Sequence, residues 1–509
     1  MKEKKFYSFF EVSFIFSLFT LIVFYFANEY GLNRHWAAFP DHEVTYAYNA
    51  LLFNSAIEHE QTDHSGYFSI LFLSIFFQIL NLFGYLSTFK FSILNINNNY
   101  ETDFQNIIFF TRIYSSITIA ILYSLIFYFL NYFAKNKLYS FLLSLIIFFT
   151  FSNFIHLSKL RTEIVTEIFF ILSFINLILF FKGENRFKIY NIIFFFLFLY
   201  CSILNKSQAL FYLPYIFLLT YFHTESMKNF NLENFKFIEN KNFKIVLTFI
   251  CIGYLSIKFL SEYNPTILSP IFLFINILLI NLFFYICLKK FNLSIEKNLV
   301  FINFLWILIF LLFKSFLFIH PSTSELAFEK TFTNIIGAVV GLTASDQTNL
   351  ISIPFSLLGK NINDNLLAVT YHSFLLCAYL VLNLIFLKKL KKKETIFNLC
   401  CVFSFLIISS INEIKDNYYY EIFADLFLIL AFCNFGIFFK RSKIIFFLPI
   451  LVISFYINYY PNINYIEKVK LSGKNFSGIK WLCDPDQNYL FTYHKNLNFD
   501  HFQNICKKY

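Results

Sequence analysis

Apolar stretches long enough for membrane helices alternate with short polar breaks along almost all of the 509-residue chain. A helix needs about 20 apolar residues to cross the hydrocarbon core. Two such stretches fit between each neighbouring pair of Lys/Arg-rich breaks, which lie at Lys135/Lys137, Lys182/Arg186/Lys188, Lys228 to Lys244, Lys289/Lys290/Lys297, Lys388 to Lys393 and Lys440/Arg441/Lys443. The turning points in between are acidic, Pro-containing or Tyr-rich: Arg161/Glu163, Asn205/Lys206, Glu262/Pro265, His320 to Asp364 and Glu413 to Glu421. Cytoplasmic loops collect Lys and Arg, so the pattern predicts an all-α polytopic membrane protein of about 13 spans with a cytoplasmic N-terminus. Residues 1–457 form the transmembrane module and 458–509 a small external cap. The apolar run that follows Met1-Lys2-Glu3-Lys4-Lys5 and reaches Ala27 reads as a retained first span, because it is too long for a signal-peptide core. Nothing alternates with the period of a membrane β-barrel.

One segment tests this scheme. Tyr67 to Thr88 is apolar enough to cross, yet a crossing there would move 20 of the 23 Lys/Arg assigned to the cytoplasm to the other side. It is therefore expected to be an interfacial or re-entrant helix within one long external loop, residues 28–108, buried against other helices. A second long external loop covers 319–365 and contains a mildly apolar run, Thr331 to Leu342, suited to a helix lying over a site.

Composition strengthens the membrane assignment: 58% of residues are hydrophobic, 79 are Phe and only 14% are charged, against about a quarter charged in soluble domains. The net charge of +10 looks at first like a nucleic-acid surface, but its distribution excludes that partner. The predicted cytoplasmic side carries +15, the external side before the cap −8 and the cap +3. Seven of the nine Cys lie in or beside apolar stretches, where Cys is a small buried hydrophobe. Cys483 and Cys506 fall in the cap, where an oxidised bridge is plausible.

The acidic excess gathers in the first external loop. It reads Asp41-His42-Glu43-Val44-Thr45-Tyr46-Ala47-Tyr48 and later Asp63-His64-Ser65-Gly66-Tyr67 at the start of the next apolar run. Asp41, Thr45 and Tyr48 would share one face of a helix whose Ala47, Ala50 and Leu51 offer an apolar docking surface. In order, spacing and sidedness these motifs resemble the first external loop of GT-C membrane glycosyltransferases. Within that class they are most similar to the subgroup of protein O-mannosyltransferases and aminoarabinose transferase. Arg112 at the next span, Ser158/Arg161/Glu163 in the second external loop and Leu204-Asn205-Lys206 ahead of an apolar helix extend the likeness over about the first 220 residues. Beyond them it rests on overall architecture and, loosely, on the Lys415/Tyr418-Tyr419-Tyr420 loop. His42 stands where the group has its Asp, and Ser65-Gly66 where it has Pro-Pro.

The resemblance implies a donor sugar on a polyprenyl phosphate, presented from the bilayer to a glycan, lipid or protein acceptor at the periplasmic face of a bacterial inner membrane. The phosphate is already a good leaving group. One carboxylate base plus cations on the phosphate would therefore suffice. Asp41 and Glu43 are the candidate bases. Lys206, Arg161 and His64 are candidates for the donor phosphate, and His42, Tyr46, Asp63, Tyr67, Glu163, Lys415 and Tyr419 for the sugar, the acceptor or their support. Glu163, Glu167 and Asp63 are the candidate ligands of a divalent cation, which some members of the class use and others do not. Asp425, about a turn into its span, is a further candidate because intramembrane charges are costly. The competing functions are a flippase for a lipid-linked glycan, which should carry mid-span charges or an internal repeat, and a glycan polymerase or ligase, with its cationic residues in later loops.

Overall fold

The computed structural model describes residues 9–38, 43–57, 66–96, 100–158, 160–182, 188–206, 209, 371–386, 389–413, 421–438, 448–457 and 507. Among them the chain is mostly helical, with no strand. The helices are α1 (Phe9–Tyr30), α2 (Thr45–Asn54), α3 (Tyr67–Leu82), α4 (Phe91–Ile96), α5 (Tyr100–Ala134), α6 (Lys137–Phe148), α7 (Phe151–Phe154), α8 (Thr162–Lys182), α9 (Lys188–Asn205), α10 (Tyr371–Phe386), α11 (Lys392–Glu413) and α12 (Glu421–Leu430). Three of the described helices are long and apolar enough to cross a membrane: Phe10–Glu29, Tyr100–Ala134 and Thr162–Phe180. The expected cap apart from residue 507, and the whole of the expected loop 319–365, lie outside the described residues, as do Cys483 and Cys506.

Local chemistry sets the breaks. Lys135 adopts φ 54°, in the left-handed region that ends α5. Asn136 then caps α6, its side chain accepting from the Tyr139 amide at 3.2 Å. Glu101 and Asp103 occupy the first turn of α5, where the helix dipole favours negative charge.

α1 and α5 run antiparallel. At one end the Lys137 ammonium pairs with Glu11 and the Tyr128 hydroxyl donates to the Glu11 carbonyl at 3.3 Å. At the other end Arg112 donates to the Leu32 and Arg34 carbonyls at 3.2 and 2.6 Å. The chain thus leaves α1 and re-enters at α5 from one end of the bundle, and α2 to α4 belong to that excursion. α3 is 16 residues long, short of a full span, and turns back at Gly84 with φ 76°.

The excursion has its own apolar core. Trp36 stacks on Phe104 at 5.2 Å, Tyr48 meets Phe91 edge-on at 5.5 Å, and Phe68 packs on Phe169 of α8 at 5.3 Å. α2 is more deeply embedded than a one-sided docking helix would be: every side chain from Thr45 to Phe53 is buried. A second apolar cluster joins α5, α6, α8, α9, α10, α11 and α12. The outward face of α3, with Phe72, Ile75, Ile79 and Leu82, stays exposed, as do Phe10, Leu21 and Tyr25 of α1.

Candidate functional site

Three polar groups cluster inside the bundle, beginning where the excursion meets α5. Glu43 lies just before α2 with no exposure. Arg112, 1% exposed, grips it through Nε at 3.1 and 3.2 Å and Nη2 at 2.7 Å, and Arg34 adds a contact at 3.4 Å. The remaining Arg112 donors reach the carbonyls of Leu32, Arg34 and His35, the last at 3.0 Å. Each N–H of the guanidinium fork has an acceptor, the two-pronged geometry that Arg supplies and Lys cannot. Gln105 completes the lock, accepting from the Trp36 amide at 2.9 Å and donating to the Arg34 carbonyl at 3.0 Å. Both oxygens of Glu43 are therefore committed to guanidinium groups. That makes it an anchor for the loop, and the geometry does not suit the base role expected as one of two options; Asp41, the other, lies outside the described residues.

The second cluster sits where α8 begins and α9 ends. Glu163, in the first turn of α8, is buried. Its Oε1 accepts from Arg161 Nη2 and from Lys206 Nζ, both at 3.0 Å, and its Oε2 accepts from Arg161 Nε at 3.2 Å. Arg161 and Lys206, 45 positions apart by their numbers, are thus drawn to one carboxylate; they are 4% and 6% exposed. His156, also buried, lies within electrostatic range of Glu163. Tyr46 of α2 faces the same cluster. Burial pushes its phenol up, with Glu163 adding to the rise and Lys206 and Arg161 opposing it.

Backbone approach makes this meeting possible. A Cβ on Gly66 would stand 2.4 Å from Thr162 Cγ2 and 3.0 Å from Tyr46 Cε1, so only glycine lets α3 start against α2 and α8. Asn205 then ties three helices together. It accepts from the Ser69 amide and hydroxyl at 2.9 and 3.1 Å and donates to the Thr162 carbonyl and Thr166 Oγ1 at 2.8 and 2.9 Å. The next residue is Lys206, whose position therefore follows that of α3. Tyr67, at the start of α3, is buried against Phe53 and Phe68 and does not enter the cluster.

The third cluster lies one turn deeper. Glu167 is fully buried, and neither of its oxygens accepts a hydrogen bond. Asp425 accepts from Ser152 Oγ at 2.5 Å and Asn153 Nδ2 at 3.3 Å. Of the expected cation ligands, Glu163 does not fit, since Arg161 and Lys206 occupy its oxygens, and Asp63 lies outside the described residues. Among the described residues no three His, Cys, Asp or Glu side chains gather. His42, His64, Lys415 and Tyr419 also lie outside the described residues.

Sequence reading brought Arg161, Glu163, Lys206 and Tyr46 into one list, and the structure brings them together. It missed Arg34, Gln105 and His156, for which the only local signal is proximity to a polar break. No family model matches the chain, and no curated protein matches it.

Proposed function

We propose that the chain is an integral-membrane glycosyltransferase of GT-C type, of about 13 spans, which transfers a hexose or pentose from a polyprenyl-phosphate donor to a hydroxyl of a glycan, lipid or protein acceptor. The observation that carries this reading is the convergence of Arg161 and Lys206 on Glu163 beneath the helices of the first loop. Two cations that flank different helices, Arg161 just before α8 and Lys206 just after α9, gathered at one buried point beside Tyr46, make a pre-assembled binding group for a phosphate. A guanidinium can grip two phosphate oxygens, and an ammonium adds a compact charge.

In the proposed reaction the acceptor oxygen bonds to the anomeric carbon while the bond from that carbon to the phosphate oxygen breaks. The bonding pair stays on the polyprenyl phosphate, where Arg161 and Lys206 stabilise it, with His64 as a further donor. The acceptor proton goes to a carboxylate, assigned to Asp41, two residues from the anchored Glu43. One base and one good leaving group give inversion at the anomeric carbon. In this reading the N-terminus is cytoplasmic, and the site and C-terminus are periplasmic.

The test is turnover of polyprenyl-phosphate hexoses and pentoses by the purified chain in liposomes, with Lys206→Met, Arg161→Gln and Asp41→Asn beside the parent. Each variant should lose at least about a hundredfold in rate, the range for removing one preorganised charge or a base. Undiminished turnover in Lys206→Met and Arg161→Gln would remove the proposed phosphate site. Transfer of intact donor between leaflets without cleavage would replace the transferase with the flippase.

A further inference from the structure

Glu163 sits between the two cations of the proposed phosphate site, so its charge counts with theirs. Its side chain is 1% exposed. Oε1 accepts from Arg161 Nη2 and Lys206 Nζ, both at 3.0 Å, and Oε2 accepts from Arg161 Nε at 3.2 Å. A carboxylate in contact with two cations holds its negative charge. The contact engages one edge of the guanidinium, Nε with Nη2, and one of the three ammonium donors, so a phosphate can share the cations with Glu163 rather than replace it. The backbone holds all three groups in place: Asn205, next to Lys206, donates at 2.8 Å to the carbonyl of Thr162, which lies between Arg161 and Glu163.

Two cations and one carboxylate leave this cluster with one net positive charge among the described residues. A sugar on a polyprenyl phosphate is a phosphodiester with one negative charge. In the transfer the acceptor oxygen takes the anomeric carbon, the bonding pair stays on the phosphate oxygen and the acceptor proton goes to the base. The phosphate therefore leaves as a monoester, with a second ionisation near pH 6 on the order of that of other phosphate monoesters and close to two charges above it. Glu163 repels the diester once and the monoester twice. In a buried site, one charge at ~4–6 Å changes such an equilibrium by about ten- to a thousandfold.

We propose that Glu163 sets the charge preference of this site: by holding Arg161 and Lys206 at one net positive charge it matches the site to a singly charged phosphodiester and releases the doubly charged monoester product. The inference rests on the phosphate-site reading above, and it makes Glu163 a specificity-determining residue rather than the cation ligand or passive support expected from the sequence.

The purified full chain in detergent micelles is titrated calorimetrically, at about pH 8 so that the monoester is fully ionised, with two lipids of one chain length: farnesyl phosphate, a monoester, and methyl farnesyl phosphate, a diester. The readout is the ratio of the two dissociation constants within each protein, from which a general loss of folded protein cancels. Glu163→Gln should shift the ratio toward the monoester by at least about tenfold, and Lys206→Met should shift it away by a similar factor. Glu163→Asp, which keeps the charge, should keep the parent ratio. The double variant Glu163→Gln/Lys206→Met again has one net positive charge and should return to the parent ratio. If Glu163→Gln alone does not fold, the double variant against Lys206→Met isolates the same charge, with the same tenfold difference expected. An unchanged ratio in Glu163→Gln, or between Lys206→Met and the double variant, overturns this inference and leaves the phosphate site standing. No saturable binding of either lipid by the parent removes the phosphate site and this inference with it.

Discussion

Replacing Arg112 by Met removes the guanidinium that holds Glu43 while roughly preserving the apolar stem. Glu43 would keep only the Arg34 contact at 3.4 Å, and three backbone carbonyls would lose a donor. Removing one partner of a buried ion pair costs about 3–5 kcal/mol, because the other charge stays buried. Glu43→Leu alone should cost about as much, since it leaves two guanidinium groups, 1% and 7% exposed, without their carboxylate. In the double variant neither charge is stranded by the loss of the other. Its cost should fall short of the sum of the single costs by up to about 3 kcal/mol, the upper range for groups in direct contact. Reversible unfolding in mixed detergent–SDS micelles, read by Trp fluorescence, measures all four chains, with Trp36 stacked on Phe104 reporting the local core. Additive costs would refute the reasoning, since they would mean that Arg112 and Glu43 contribute independently. Arg112→Lys should recover little, because one ammonium cannot serve both the carboxylate and the three carbonyls.

Gly66→Ala should destabilise the chain by about 1–3 kcal/mol through overpacking, and Thr162→Ser, which removes the methyl at 2.4 Å, should restore much of that in a thermal melt. Asn205→Leu should loosen α3, seen as faster hydrogen exchange at the Ser69 amide than in the parent; unchanged exchange there would show that Asn205 does not hold it. Lys137→Ala should cost less than about 1 kcal/mol, because its partnership with Glu11 is largely exposed. A reporter fused after Lys137 should read cytoplasmic, and a periplasmic signal would contradict the assignment of Tyr67 to Thr88 to one side of the membrane.

Hydropathy by itself determined the helical class and the positions of α1, α5 and α8, since burying a backbone in lipid leaves few options besides a helix and the apolar runs are local. Polar breaks likewise marked Arg161/Glu163 and Asn205/Lys206 as turning points, and both prove to be helix ends. What the side chains do there depends on partners far along the chain. Glu43 and Arg112 are 69 residues apart, and Ser152 and Asp425 are 273 apart. No periodicity links such positions. Only the tertiary structure separates the roles of the acidic residues: Glu43 locked between two arginines, Glu163 gathering two cations, Glu167 buried without a donor. The physical reason is that a carboxylate's chemistry is set by the charges and donors around it, and in this bundle helices distant in sequence supply them.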